Sequence, residues 1–391
     1  MSIEKKPNKI ITRILLGIIG FILRSRSKIR LLRDDASSIK PPYIILGNHV
    51  NNWDPFFVNE FVDEPISFIA ANSLFFNPIL RTLLNYIGII PKSKEKSDIR
   101  TIRQILRAKR HERIIGIFPE GNVTWDGSYE KIDDSTAKLI KLLKIPVIVA
   151  IISGAHLSRP RWAKSHRRGK IDISFKKLFS EEDIKRRPIE YIHEKLNKAL
   201  NHDEITWQER RQNIYKGRRL AQYLERLLFI CPSCKDISSM HSRGSSFFCT
   251  HCGYSLEYTV YGKFKNHNRE PYFSWPGQWN DWQLSELKLR LKDNNLSLEA
   301  FKDPVKLYVS SGDTPFKLIS VGQIELEDAG IVFKGHKDME YRFLFEDIKS
   351  PNIHMSANLN FYYGDKFYRF KFYKPRTSAY KWLNLIKILA P

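Results

Sequence analysis

The apolar run Tyr43-Ile44-Ile45-Leu46 stops abruptly at Gly47-Asn48-His49-Val50-Asn51-Asn52-Trp53-Asp54. So short a run, rich in β-branched and aromatic side chains, reads as a buried strand, and the polar stretch after it reads as a turn. That turn carries a histidine and an aspartate five positions apart. On an ideal helix such a pair points about 140° apart, so the two side chains meet only across a turn or a distorted helix start. Asn51, Asn52 and Pro55 supply the turn chemistry. A histidine titrates near neutrality and can accept a proton from a weak nucleophile, and a carboxylate beside it holds one tautomer.

Three more runs extend the pattern. Ile114-Ile115-Gly116-Ile117-Phe118 reads as a second buried strand that leads directly into Pro119-Glu120-Gly121-Asn122. Open α/β sheets bind ligands beyond the carboxyl ends of their strands, which is where this carboxylate and glycine fall. Ile145 to Ile151 is a third β-branched run, and Gly88-Ile89-Ile90-Pro91-Lys92-Ser93-Lys94 ends an apolar stretch in cations suited to a phosphate. Helical segments alternate with these runs: Ile99 to Arg110, Ala137 to Leu143, and a stretch ending with Ile189, Ile192, Leu196 and Leu200 on one face. The alternation predicts a mixed sheet flanked by helices over residues 31–205.

The four blocks, taken in order, resemble the glycerolipid acyltransferase family of the bacterial 1-acylglycerol-3-phosphate type, over roughly residues 30 to 200. His49 and Asp54 fit its His-x4-Asp block, and Gly88 to Lys94 fit Gly-x-Ile-Pro-x-x-Arg. Phe118 to Gly121 fit Phe-Pro-Glu-Gly, and Ile145 to Val147 fit Val-Pro-Val. The resemblance implies that His49 is a general base on a glycerol hydroxyl of a lysophospholipid and that Asp54 orients it. It also implies acyl-CoA or acyl-carrier protein as donor. Glu120, Gly121 and Asn122 would position the acceptor, with Lys94 on its phosphate. Two departures bear on the acceptor head group. Lys94 replaces the arginine, losing its bidentate fork, and Asn122 replaces a threonine with no arginine after it.

All four cysteines fall further on, as Cys231-Pro232-Ser233-Cys234 and Cys249-Thr250-His251-Cys252. Two C-x2-C knuckles around a hairpin-length insert predict a zinc ribbon with a closed, structural Zn2+ held by four thiolates. His251 reads as a bystander.

A formal charge of +23 draws the surface to polyanions. With the acyltransferase blocks present, the expected partner is an anionic membrane surface and not nucleic acid. The expected location is the cytoplasmic face of the membrane, peripheral or monotopic. Residues 10–23 are apolar but interrupted by Arg13 and followed by Arg24, Arg26, Lys28 and Arg30, so they predict an interfacial helix over 1–30 rather than a span. Leu74 to Ile87 reads as a further bilayer grip, a core segment or part of an acyl pocket. The loop from Arg159 to Lys170 is the densest cationic patch and carries Trp162, a residue suited to a bilayer interface.

The remaining chain divides into a helical connector over 206–228, the ribbon over 229–262, and a linker and helix over 263–304. The linker runs from Asn266 to about Trp282, where Pro271, Pro276 and Gly277 break periodicity, and the helix from Trp282 to Lys292. A β-rich region over 305–391 closes the chain. There the strands Lys306–Ser310, Phe316–Val321, Gln323–Leu326, Gly330–Phe333, Tyr341–Phe345, Asn358–Tyr363 and Lys366–Phe372, with a closing helix, resemble a pleckstrin-homology-like or GRAM-like domain. The rival functional reading is a non-catalytic lipid- or nucleic-acid-binding protein on a degenerate scaffold. Intact His49, Asp54 and Glu120 argue against it.

Overall fold

The computed structural model describes residues 9–92, 99–293, 296–311 and 314–390. Lys94 lies outside the described residues. The chain forms two compact units, one of residues 1–160 with 166–216 and one of 161–165 with 217–391.

The first unit is built on seven strands: β1 (Lys28–Asp34), β2 (Ile44–Gly47), β3 (Ile66–Ala71), β4 (Ile90–Lys92), β5 (Ile114–Ile117), β6 (Val147–Ser153) and β7 (Lys170–Phe179). Their order is β1-β7-β6-β2-β5-β3-β4. Neighbours are parallel except β6 and β7, which makes the sheet mixed, as expected. Nine helices are described: α1 (Lys9–Arg26), α2 (Asp54–Asn59), α3 (Pro78–Ile87), α4 (Ile99–Arg110), α5 (Ser135–Leu143), α6 (Ala155–Ser158), α7 (Glu181–Arg186), α8 (Ile189–Leu200) and α9 (Glu204–Arg211).

The central strands are apolar on both faces because both faces are covered. Ile44, Leu46, Ile115, Val147 and Val149 join Ile105, Ile140, Ile192 and Leu196 of α4, α5 and α8 in one core. The alternate residues Ile45, Ile114, Ile148 and Ile152 join Leu23 of α1 and Phe57 and Val58 of α2 in another. The two-residue strand period produces this division. Each fully buried side chain of this kind contributes about 1.5–3 kcal/mol.

Helix α1 docks through Leu23 and leaves Ile10, Ile14, Ile18 and Phe21 exposed at 70%, 59%, 57% and 75%. These positions lie on one helical stripe. No helix among the described residues is long and apolar enough to cross a membrane. The 74–87 stretch is divided: Phe75 and Ile87 are buried, while Ile79, Leu83 and Tyr86 of α3 are exposed.

The second unit opens with an antiparallel sheet, β8 (Met240–Arg243), β9 (Ser246–Cys249), β10 (Ser255–Tyr258) and β11 (Phe264–Asn266). The connector expected to be helical over 206–228 is helical only to Arg211. Gln212 turns left-handed at φ 47°, and the chain continues as turns and one short 3-10 segment, Leu224–Arg226. The expected linker is also corrected, because α10 (Pro276–Lys292) begins inside it. Pro276 is a helix starter there and not a breaker, since the first-turn N–H it lacks needs no intrahelical acceptor. Trp279 of α10 is fully buried against Phe247 and Phe264, and its Nε1 donates to the Ile230 carbonyl at 2.9 Å.

The C-terminal sheet has the order β15-β14-β13-β12-β18-β17-β16 and is antiparallel throughout. Its strands are β12 (Lys302–Ser311), β13 (Lys317–Glu327), β14 (Gly330–Gly335), β15 (Glu340–Leu344), β16 (Ile348–His354), β17 (Asn358–Tyr363) and β18 (Lys366–Phe372). The two strands expected over 316–321 and 323–326 are one, because Gly322 pairs with Val305 and the ladder to β12 runs through it. The seventh strand is instead β16, hidden by Pro351 and a register break between Lys349 and Asn352. Helix α11 (Ala379–Leu389) closes the unit with Trp382, Leu385 and Ile386 fully buried.

Trp162 is fully buried, edge-on to Tyr258 with ring centroids 5.7 Å apart. Arg161 beside it donates from Nε to the Met355 carbonyl at 2.9 Å. Trp162 is therefore a packing residue of the second unit, not a bilayer contact. Its large apolar area finds cover in the protein itself.

Candidate active site and cysteine cluster

His49 lies just past the carboxyl end of β2, and Phe118 to Glu120 lie just past the carboxyl end of the adjacent parallel strand β5. Two sequence blocks 71 positions apart thus meet at one sheet edge. Asn48 fixes the exit of β2. Its Nδ2 donates to the Ile152 carbonyl at 2.9 Å and its Oδ1 accepts from Ile152 N–H at 2.8 Å, continuing the ladder to β6 with a side chain. Asn51 makes the turn by accepting Trp53 N–H at 3.0 Å, and it donates from Nδ2 to the Ala155 carbonyl at 2.9 Å. Asp54 then begins α2 with Pro55 in its first turn.

His49 Nδ1 and Asp54 Oδ2 are 2.9 Å apart. The same carboxylate oxygen accepts Val50 N–H at 2.7 Å and Asn51 N–H at 2.8 Å. Asp54 is fully buried, and its burial pushes the carboxyl above its ordinary value, opposed by His49 and the two amides. With Asp54 accepting at Nδ1, the imidazole carries its proton there and leaves Nε2 as the ring's acceptor nitrogen. The His49 ring stacks on Phe118 at 4.6 Å and keeps 18% of its side chain exposed. Phe118 in turn stacks on Phe68 at 5.5 Å. A Cβ at Gly47 would come within 2.6 Å of the Phe118 ring, so only glycine lets this stack form.

Glu120 Oε1 accepts the His49 backbone N–H at 2.9 Å. Burial pushes its carboxyl up to about 7, only partly offset by that amide and the Glu130 amide. Gly121 turns at φ 71° with its N–H on the Phe118 carbonyl at 3.1 Å, a conformation that suits glycine. Asn122 is half-buried immediately beyond. Sequence reasoning places Asn51 in the turn but does not find its bond to the Ala155 carbonyl, nor Asn48 and Phe118 as supports of the site. An asparagine in a turn carries no sign of the distant carbonyl it will reach.

The cysteines form a separate cluster in the second unit, with all four Sγ atoms within 4.8 Å of one another. Cys231 to Cys252 and Cys234 to Cys249 are each 3.7 Å, well beyond the roughly 2.05 Å of a disulfide. A tetrahedral shell with metal–sulfur bonds near 2.3 Å has edges of about 3.8 Å, so the thiols fit a shared ion. The knuckles are built alike. Lys235 N–H donates to the Cys231 carbonyl and Gly253 N–H to the Cys249 carbonyl, at 2.9 and 3.1 Å. The residue after each second cysteine is left-handed, Lys235 at φ 62° and Gly253 at φ 72°.

Residues 27–153 match the family model "Acyltransferase". A 1-acyl-sn-glycerol-3-phosphate acyltransferase of Saccharomyces cerevisiae is 24% identical over 167 residues, covering 41% of this chain and 55% of that protein. The chain thus spans about half the length of this curated relative. The crystal structure of the 1-acyl-sn-glycerophosphate (LPA) acyltransferase PlsC from Thermotoga maritima aligns at 18% identity with a TM-score of 0.37, over 44% of this chain and 71% of that one. Residues 27–153, which hold the His49–Asp54 pair and Glu120, thus carry a domain that matches the acyltransferase family model and is similar to a glycerolipid acyltransferase.

Proposed function

We propose that the chain is a membrane-associated O-acyltransferase. It would move a fatty acyl group from acyl-CoA or acyl-carrier protein to a glycerol hydroxyl of a lysophosphatidate-type lysophospholipid. The observation that carries the reading is the His49–Asp54 pair, with Nδ1 committed to the carboxylate at 2.9 Å and the ring partly open beside Phe118.

In this mechanism His49 Nε2 accepts the proton of the acceptor hydroxyl as its oxygen attacks the thioester carbonyl. The resulting imidazolium is held by Asp54. The tetrahedral intermediate collapses, the carbon–sulfur bond breaks, and the thiolate leaves with the proton from His49. Positioned base catalysis of this kind contributes roughly 10²–10⁴-fold. Glu120 holds the histidine backbone, Gly121 and Asn122 bound the acceptor site, and Lys94 would meet the acceptor phosphate.

Attachment would be interfacial, at the cytoplasmic face of the membrane. The exposed stripe Ile10, Ile14, Ile18 and Phe21 on α1, with Arg24 and Arg26 at the helix end, supports this. Cys231, Cys234, Cys249 and Cys252 would hold one structural Zn2+, since four thiolates leave no open coordination position. The β12–β18 sheet with α11 would be a pleckstrin-homology-like accessory domain.

The decisive assay is thioester release from acyl-CoA and acyl-carrier protein across a panel of lysolipids. Native protein should transfer acyl groups and His49→Ala should not. Full activity in His49→Ala removes the mechanism.

A further inference from the structure

Away from the His49–Asp54 pair, cationic side chains gather at the same sheet edge. Ser27 lies between α1 and β1, and Ser158 ends α6. Their hydroxyls are 3.1 Å apart, and both reach His166 Nε2, at 3.3 Å from Ser27 and 3.0 Å from Ser158. The two serines are buried and the ring is half-buried.

Arginines arrive at this trio from several elements. Arg26 ends α1 and is exposed, and Arg159 comes directly after α6 and is half-buried. Arg168 is placed by a bond from its guanidinium to the Ser25 carbonyl at 2.8 Å. Arg167 N–H donates to the Ser158 carbonyl at 2.8 Å. Neither Arg26 nor Arg159 has a carboxylate partner among the described residues. The charges of Arg26, Arg159, Arg168 and Arg167 act on His166 together with burial, the larger cause, and hold its ring at about 4. Burial and the charge of Arg26 likewise lower Arg159.

Two guanidinium groups such as Arg26 and Arg159, near each other with no carboxylate partner among the described residues, repel, and an anion between them reverses that sign. Two observations indicate what anion. Arg26 closes the helix whose exposed stripe is Ile10, Ile14, Ile18 and Phe21. The Arg159 carbonyl accepts from Asn51 Nδ2 at 3.3 Å, which ties the cluster to the turn that carries His49. The neighbours are therefore an apolar helix on one side and the reacting hydroxyl's base on the other.

We propose that Arg26, Arg159 and Arg168, gathered around His166, form a phosphate-binding site that takes the phosphate of a glycerophospholipid head group. The phosphate oxygens accept from the guanidinium forks, which match that geometry better than an ammonium does. The source is either the acceptor lipid, in which case this cluster and not Lys94 meets its phosphate, or the surrounding membrane. Assigning the acceptor rests on the acyltransferase reading, while the phosphate chemistry does not.

The test uses the full chain and inorganic phosphate. Native protein should show a saturable rise in thermal midpoint with phosphate, against chloride at matched ionic strength. Arg26→Gln with Arg159→Gln should abolish that rise, and the paired lysine variant should keep part of it. Arg26→Gln alone, at an exposed position, serves if the double variant fails to fold. The source is then read from two arms. A KM for lysophosphatidate raised about tenfold in the variant, with kcat within about twofold and no change for a phosphate-free monoacylglycerol, identifies the acceptor. Unchanged KM with loss of phosphatidate-dependent pelleting on phosphatidylcholine vesicles identifies the membrane lipid. No saturable phosphate effect on native protein, or an equal effect on the glutamine variants, overturns the site. A phosphate effect in a protein that transfers no acyl group would leave the site standing and remove the acyltransferase reading.

Discussion

The backbone N–H of His49 donates to Glu120 Oε1 at 2.9 Å, joining the ends of two neighbouring parallel strands. One carboxylate thus holds the main chain of the histidine while another, Asp54, holds its ring. His49 is thus fixed at both its backbone and its ring.

Histidine and aspartate should separate on substitution. His49→Ala should abolish acyl transfer and cost little stability, because the side chain is partly exposed and its ring stack is worth about 0.5–1.5 kcal/mol. Asp54→Ala should abolish activity and also destabilise the fold by roughly 2–5 kcal/mol, since it strands the buried N–H groups of Val50 and Asn51. Denaturant melts of the two variants beside the activity assay check this. Equal stability in both would mean that Asp54 does not hold the turn.

Glu120 should make stability fall as pH rises. Its folded carboxyl sits at about 7 against an ordinary 4.5. Between these values the folded chain keeps a proton that the unfolded chain has released. Stability is therefore complete below about pH 4.5 and declines until about pH 7, by at most about 3 kcal/mol. Glu120→Gln cannot ionise, so the difference between native and variant unfolding free energies should slope in this sense from about pH 4.5 to about pH 7. A flat difference, or the opposite slope, would contradict the burial of this carboxyl.

Purified protein should carry one zinc per chain, and serine at Cys231, Cys234, Cys249 or Cys252 should lower metal content and destabilise the second unit. Isolated zinc-finger peptides draw roughly 10–16 kcal/mol from the ion. Elemental analysis with unfolding curves during chelation is the check. Activity that tracks metal occupancy one-to-one in a fully folded protein would place the ion in the reaction.

Membrane attachment is better tested by point changes than by deletion, because Leu23 of α1 belongs to the core of the first unit. Ile14→Ser with Ile18→Ser should leave the melting curve within error and weaken pelleting with anionic vesicles by about tenfold or more, since each buried isoleucine is worth about 1.5–3 kcal/mol. Unchanged pelleting would move the attachment elsewhere.

The local chemistry of this protein is legible in its sequence. The runs at 43–46, 114–118 and 145–151 are strands because unbroken β-branched stretches need cover on both faces, and the central strands of this sheet receive it. The C-x2-C knuckles are local too, each closing its own turn on a backbone N–H. The strands β1 and β16 are different. Both lie at sheet edges, where one side of the ladder is unpaired and charge, proline and bulges are tolerated, so Lys28-Ile29-Arg30-Leu31-Leu32-Arg33-Asp34 shows no strand pattern. The basic neighbours of Trp162 point to a bilayer, and only the packing against Tyr258 reveals its cover. The meeting of His49 with Glu120, and of Arg26 with Arg159 and His166, depends on which strands lie side by side. Strand order is a property of the whole sheet. No short window of residues contains it.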